Sequence, residues 1–201
     1  MKQKWFGEVN ELKCVYIFYE RAEKDEVRYP AAGAKHKHFV VTECFCFGIL
    51  YCMDEDKIAG FFLTGWYVFD NFAPFQVEWR GKLYPTSEHA YQAAHFIDTA
   101  PEFAEEIRLS RSPREASDIA NEHTDKEDPE WKTKRLDFME EIIRCKLKQH
   151  VYIHEVLRAS EDKEIVEMND NDEFWGWGKN HDGQNQLGKL WMQLRNEIIQ
   201  I

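Results

Sequence analysis

Glu88, Gln92 and His95 fall four and three residues apart in YPTSEHAYQAAHF, and Asn71 stands ahead of them in FDNFAPF. A carboxylate, two amides and an imidazole are thereby interleaved with Phe69, Phe72, Phe75, Tyr91 and Phe96. A few oriented polar groups set among aromatic rings suit a pocket for a planar, polar ligand. On a helix, this spacing gathers Glu88, Tyr91, Gln92 and His95 on one side. The plain alternative is a helix whose glutamate is a solvated first-turn charge, favoured there by the helix dipole.

The elements that must position these groups are legible nearby. Thr86-Ser87 precedes a run of good helix formers, and a hydroxyl at that place can accept the orphan amides of a first turn. A helix from about Ser87 to Ile97 is expected. Upstream, Phe75, Val77 and Trp79 alternate, Arg80-Gly81 turns and Leu83 follows, which predicts a short β-hairpin.

Beyond residue 86 the pattern is helical. Pro101-Glu-Phe-Ala-Glu-Glu-Ile suits a short helix with acids in its first turn. Ser112-Pro113 supplies a cap and an N1 proline for a helix through Ala120, and Asp128-Pro129 repeats that signal. Trp131, Leu136, Met139, Ile142, Ile143 and Leu147 recur at helical intervals, predicting a long amphipathic helix over 129–149. A shorter helix over Val151 to Arg158, an extended piece at Glu164-Ile-Val166 and a last helix carrying Leu187, Leu190, Trp191, Leu194 and Ile198 complete the domain. Residues 1–56 are rich in β-branched and aromatic residues and form a β-rich N-terminal extension, with Met53 to Lys57 as a polar boundary. The fold class is α+β, with a mainly helical domain over 57–201 that includes a small β-hairpin region.

A second candidate segment is FWGWGKNHDGQN, residues 174–185. Gly176, Gly178 and Gly183 deny it regular structure, while Trp175 and Trp177 offer flat surfaces. Ordering such a loop is costly unless it binds something or is stapled to the core by its tryptophans. Gln184 and Asn185 stand at the start of the last helix, whose amides could meet a phosphate or a carbonyl.

The chain has 201 residues with 43% hydrophobic, 31% charged and 14% aromatic content, ordinary for a globular protein apart from its aromatics. Its net charge of −11 argues against sequence-independent duplex or anionic-membrane binding, and leaves room for a local nucleotide site. No apolar run approaches membrane-spanning length, and the N-terminus lacks a signal-peptide pattern. A soluble, non-secreted, cytoplasmic protein is expected. Five cysteines without a C-x-x-C fit a reducing compartment. His36 and His38 with Cys44 and Cys46 could present two imidazoles and two thiolates to zinc, although a strand pair with half-buried cysteines accounts for the same residues. No metal and no cofactor is assigned.

FDNFAPF, YPTSEHAYQAAHF and FWGWGKNHDGQNQLGKLWMQLR, in this order and spacing, resemble the YbiA-like or NADAR family over about residues 60 to 199. That resemblance implies an N-glycosidase that cleaves the C–N bond between ribose and a base-like amine. Its implied substrates are ribosylamino-pyrimidine intermediates of riboflavin synthesis, or ADP-ribose on guanine in nucleotides or modified nucleic acid. Carried over by position, Glu88 matches the family's acidic catalytic residue, Trp131 and Trp175 match functional tryptophans, and Asn71, Gly183 and Asn185 match other motif positions. The chain departs from the family in His95, where a lysine is usual, in Asp70, where a serine is common, and in the acidic run 121–130, where basic residues are usual.

N-glycosidic cleavage passes through a cationic, oxocarbenium-like ribose, which a nearby carboxylate stabilises while activating water. Glu88 is the candidate for that role. His95 or Asp182 could supply a proton or hydrogen bond to the departing base. Phe72 and Gln92, with Trp131 and Trp175, would line the substrate site. His95 lies two turns from Glu88, roughly 10 Å by helix rise, a separation suited to opposite ends of a ribosyl-base unit. The missing lysine keeps a second reading open, a module that binds ADP-ribose or a related nucleotide without cleaving it. A third is an interaction protein with a zinc-clasped N-terminal sheet.

Overall fold

The computed structural model describes residues 57–63 and 65–199. The expected β-rich extension, with His36, His38, Cys44 and Cys46, lies outside the described residues. Within them, six helices dominate and the strands are short, in keeping with the α+β expectation.

Strand β1, Ile58–Gly60, pairs in parallel with a strand over Glu164–Val166, and Ala59 stands opposite Ile165. The latter is the extended piece anticipated from sequence; β1 was not anticipated. Strands β2, Val77–Trp79, and β3, Lys82–Tyr84, form the expected antiparallel hairpin. Its two turn residues, Arg80 and Gly81, both have positive φ, 48° and 74°. That is the backbone hand that matches the twist of two adjoining strands. The strand over Glu164–Val166 is β4.

Helix α1 spans Ser87–Ala94, and the Thr86 hydroxyl accepts from the His89 amide, as a cap should. The helix stops three residues before the expected end. The chain turns instead, with the Phe96 amide bonding back to Ala93, while the His95 carbonyl accepts from the Asp128 amide. Helix α2 is Pro101–Leu109, and α3, Pro113–Glu122, is capped by Ser112 accepting from the Glu115 amide at 3.1 Å.

Helix α4, Trp131–Gln149, begins two residues later than the Asp128-Pro129 signal predicts. The Asp128 carboxylate accepts from the Glu130 amide and pairs with Lys134, so it closes a tight turn before the helix rather than capping residue 129 onward. Helices α5, Val151–Ala159, and α6, Gln186–Ile199, complete the set. The core lies between α4, α5, α6 and the segment around Phe69, where Phe69, Ile142, Ile143, Ile153, Leu157 and Trp191 are all fully buried. Among the described residues, no helix is long and apolar enough to cross a membrane.

Candidate active site

Glu88 sits in the first turn of α1 but is buried, 8% exposed, which removes the solvated-charge alternative. Its backbone amide donates to the Asn71 carbonyl at 3.1 Å, and the side-chain amide of Gln92 donates to its Oε1 at 2.7 Å. Burial pushes its carboxyl up to about 7; the Asp70 and Asp172 charges add to that, whereas the Gln92 hydrogen bond and the Arg114 charge oppose it. Near neutral pH, this group can therefore gain or lose a proton.

The aromatic wall is built around Tyr91, whose ring centre is 5.2 Å from Trp131, 5.5 Å from Trp175 and 5.3 Å from His95. The Trp175 indole N–H donates to the Tyr91 hydroxyl at 3.2 Å. The predicted face of α1 is thus assembled, and it brings Trp131 at the head of α4 together with Trp175 of the glycine-rich loop.

His95 lies against Trp131, ring centres 3.8 Å apart and the rings tilted by 34°. Burial pushes its imidazole down to about 3, so it is neutral at pH 7, and the 3.6 Å approach of its Nδ1 to Glu127 is not an ion pair there. Its Nε2 is buried without a protein partner. A neutral ring offers a hydrogen bond, not the transferable proton of an imidazolium.

Asn71 is buried, its Nδ2 directed at the Met139 sulfur and its Oδ1 without a protein donor. Phe72 is exposed at 37%, with the Arg114 guanidinium 5.7 Å from its ring centre.

In the loop before α6, Asp172 accepts from the amides of Phe174 and Trp175 at 2.9 and 2.8 Å, and so sets the Trp175 backbone. Asn185, in left-handed conformation at φ 48°, turns its side chain inward: Oδ1 accepts from the Glu167 amide and Nδ2 donates to the Ile165 carbonyl. Gly183 permits backbone contact, since a Cβ there would lie 2.5 Å from the Trp177 carbonyl carbon. Asn185 and Gly183 therefore shape the loop, binding β4 to α6. Asp182 is exposed and is not among the charges acting on Glu88. Trp177 stacks on His181 at 3.8 Å and donates to Asp170, away from the Tyr91 cluster.

Two ionisable groups escaped the sequence reading. Glu167, at the end of β4, is 8% exposed, and burial pushes its carboxyl up to about 8, with Asp70, Asp172 and Glu88 adding to the rise. Lys146, in the last turn of α4, is fully buried; its ammonium donates to the Asp70 carbonyl at 2.8 Å, and burial pushes it down to about 7. Neither has a local motif. Glu167 follows two apolar strand residues, and Lys146 sits among apolar residues of an amphipathic helix, which were the available signals. Among the described residues, no group of three His, Cys, Asp or Glu side chains is arranged to hold a metal ion.

Comparison with known proteins matches this geometry to a family. The NADAR domain model covers residues 51–199. The chain is 34% identical over 146 residues to the N-glycosidase YbiA of Escherichia coli (strain K12), spanning 72% of this chain and 90% of that one. It is 33% identical over 162 residues to the chloroplastic riboflavin biosynthesis protein PYRR of Zea mays, spanning 72% of this chain and 26% of that one. The NMR structure of the E. coli protein YbiA superposes with a TM-score of 0.64 at 33% identity, over 73% of this chain and 88% of that one. By its sequence over 51–199 and by its fold, the chain belongs to the NADAR domain family.

Proposed function

We propose that the protein is an N-glycosidase hydrolysing the C–N bond between ribose and a base-like amine, either ADP-ribosylated guanine or a ribosylamino-pyrimidine. The observation that carries this reading is Glu88: a buried carboxylate with its proton poised near neutrality, beside Tyr91, Trp131 and Trp175. Its relatives' names, N-glycosidase and riboflavin biosynthesis protein, point the same way.

In this mechanism, ionised Glu88 stabilises the cationic ribose and takes the proton of the attacking water. As the water oxygen bonds to the anomeric carbon, the C–N electron pair leaves with the base, which needs a proton. Glu167, protonated up to about pH 8 and within electrostatic reach of Glu88, is the donor with the better-suited proton. His95, neutral and buried, serves as a hydrogen-bonding surface beside Trp131, and Asp182 remains a solvent-side candidate. Trp175, only partly buried, stacks on the base, while Trp131, buried between His95 and Phe138, backs the wall and excludes water, which strengthens the field of Glu88.

The test is incubation with ADP-ribosylated guanosine and, separately, with a ribosylamino-pyrimidine, reading freed base and sugar by chromatography. Release by the native chain, with loss of about 10²–10⁴-fold in Glu88→Gln, is expected. A fully active Glu88→Gln would refute the mechanism. The second reading, a binding module for ADP-ribose, draws on His95 standing where an ammonium is usual. Tight ADP-ribose binding by calorimetry with no product from either substrate would select it.

A further inference from the structure

Buried polar groups are normally hydrogen-bonded, because one left unpaired bears the full cost of losing its water. Among the described residues, the buried side-chain atoms without a protein partner are Asn71 Oδ1, Ser87 Oγ, His95 Nε2 and Arg135 Nε. All four belong to the surroundings of Glu88 or of its aromatic wall. The Asn71 carbonyl accepts the Glu88 amide, and Ser87 precedes Glu88 at the start of α1. His95 lies against Trp131, and Arg135 stands over Phe174, next to Trp175. Unpaired polarity is thus gathered at the site rather than spread through the core.

Asn71 is the one of the four tied to Glu88 by a hydrogen bond, 3.1 Å from its carbonyl to the Glu88 amide. It is 7% exposed, and its Nδ2 faces the Met139 sulfur at 3.5 Å, which leaves Oδ1 as an acceptor for a donor from outside the protein. Glu88 adds a second acceptor. The Gln92 amide takes its Oε1, and Oε2 remains for a ligand. A water has two protons, and when two acceptors hold both, its lone pairs face the other way, towards the carbon to be attacked. A sugar hydroxyl has one proton and fills only one such acceptor.

We propose that Asn71 Oδ1 is a catalytic acceptor which, with the Glu88 carboxylate, holds the attacking water by its two protons. This rests on the glycosidase reading. As the water oxygen bonds to the anomeric carbon, one proton passes to Glu88 and the other stays on the new hydroxyl. The C–N electron pair leaves with the base, which takes its proton from Glu167. Truncating Asn71 costs the fold only the weak contact from Nδ2 to sulfur. Asn71→Ala is therefore expected to fold normally and to fail in the chemical step.

Native chain, Asn71→Ala and Asn71→Asp, which keeps an acceptor oxygen, are compared on ADP-ribosylated guanosine and on a ribosylamino-pyrimidine in water–methanol mixtures, after melting curves confirm that each is folded. Chromatography reads the freed base, the free sugar and its methyl glycoside. Asn71→Ala is expected to lose about 10²-fold in kcat with KM little changed, and Asn71→Asp to recover part of that loss. Methanol carries a single hydroxyl proton, so it suits a site with one acceptor left. The ratio of methyl glycoside to free sugar is expected to rise about 5-fold in Asn71→Ala, the worth of about one hydrogen bond. An unchanged ratio, or a raised KM at native kcat, overturns the proposal.

If the native chain frees base from neither substrate, the glycosidase reading fails, and crystals then decide the two-acceptor site. A water within hydrogen-bond distance of both Asn71 Oδ1 and the Glu88 carboxylate, lost in Asn71→Ala, upholds it. Native crystals with no water bridging the two side chains overturn it.

Discussion

Gln92 donates its side-chain amide to Glu88 across one turn of α1 at 2.7 Å, and this bond favours the charged carboxylate that burial disfavours. In Gln92→Leu the opposing contribution disappears, so the Glu88 carboxyl rises above about 7. The acid limb of the kcat/KM profile, which follows ionisation of Glu88, should then move to higher pH. Activity should fall most at and below pH 7 and approach the native value above the new limb. A profile whose acid limb stays in place would show that Glu88 ionisation does not govern the rate.

Glu167 supplies the opposite limb. With its carboxyl pushed up to about 8, the group is protonated through neutrality and loses its proton above that value. Glu167→Gln should cost about 10²-fold in kcat, as expected for loss of a general acid, and should abolish the alkaline fall of the profile. Retention of that fall would move the proton donation to another group.

Lys146 makes a prediction about stability instead. Its amine is lowered from 10.5 to about 7 in the fold, so the unfolded chain binds more protons between those values. The contribution is present above about pH 10.5 and is lost as pH falls towards 7. Its slope is at most about 1.4 kcal/mol per pH unit. Lys146→Met lacks this slope. Melting curves from pH 10 to 7 should show the variant gaining on the native chain as pH falls, and parallel curves would count against the buried, deprotonating amine.

Gly188 lies in the first turn of α6, where a Cβ would overlap the Ile165 carbonyl oxygen and sit 2.5 Å from Asn185 Oδ1. Overpacking of this kind costs about 1–3 kcal/mol. The atoms displaced are those that hold Glu167, because Asn185 Oδ1 accepts its amide. Gly188→Ala should therefore lower Tm by a few degrees, roughly 2–4 °C per kcal/mol for a chain of this size, and lower kcat as well. A stable variant with native kcat would mean that β4 and α6 tolerate separation here.

The parts of the site that were legible in sequence are those governed by neighbours along the chain. The Arg80-Gly81 turn, the Thr86 and Ser112 caps and the Glu88–Gln92–His95 face each need only a few adjacent residues to declare themselves. The helix face was found because its spacing is periodic; its burial was not, since that comes from Tyr91 meeting Trp131 and Trp175 from distant segments. Glu167 and Lys146 were missed for the same reason. A carboxylate after a strand and a lysine in a long helix read as surface charges until tertiary packing takes their water away. The Asn185 side chain ties β4 to α6, a role illegible in sequence because it depends on a backbone partner 20 residues away. The late start of α4 had a local cause, the Asp128–Glu130 turn, which the proline signal masked.

The short run Phe69-Asp70-Asn71 has a further consequence. Its three successive carbonyls accept from three helices: Trp191 of α6 at 3.0 Å, Lys146 of α4 at 2.8 Å and the Glu88 amide of α1 at 3.1 Å. One stretch of backbone thus fastens the two core helices and the catalytic candidate together, with no slack residue between the fastenings. Detaching α6 releases the same peptide run that orients Glu88. Loosening either core helix is therefore expected to disturb the backbone that holds Glu88 as well.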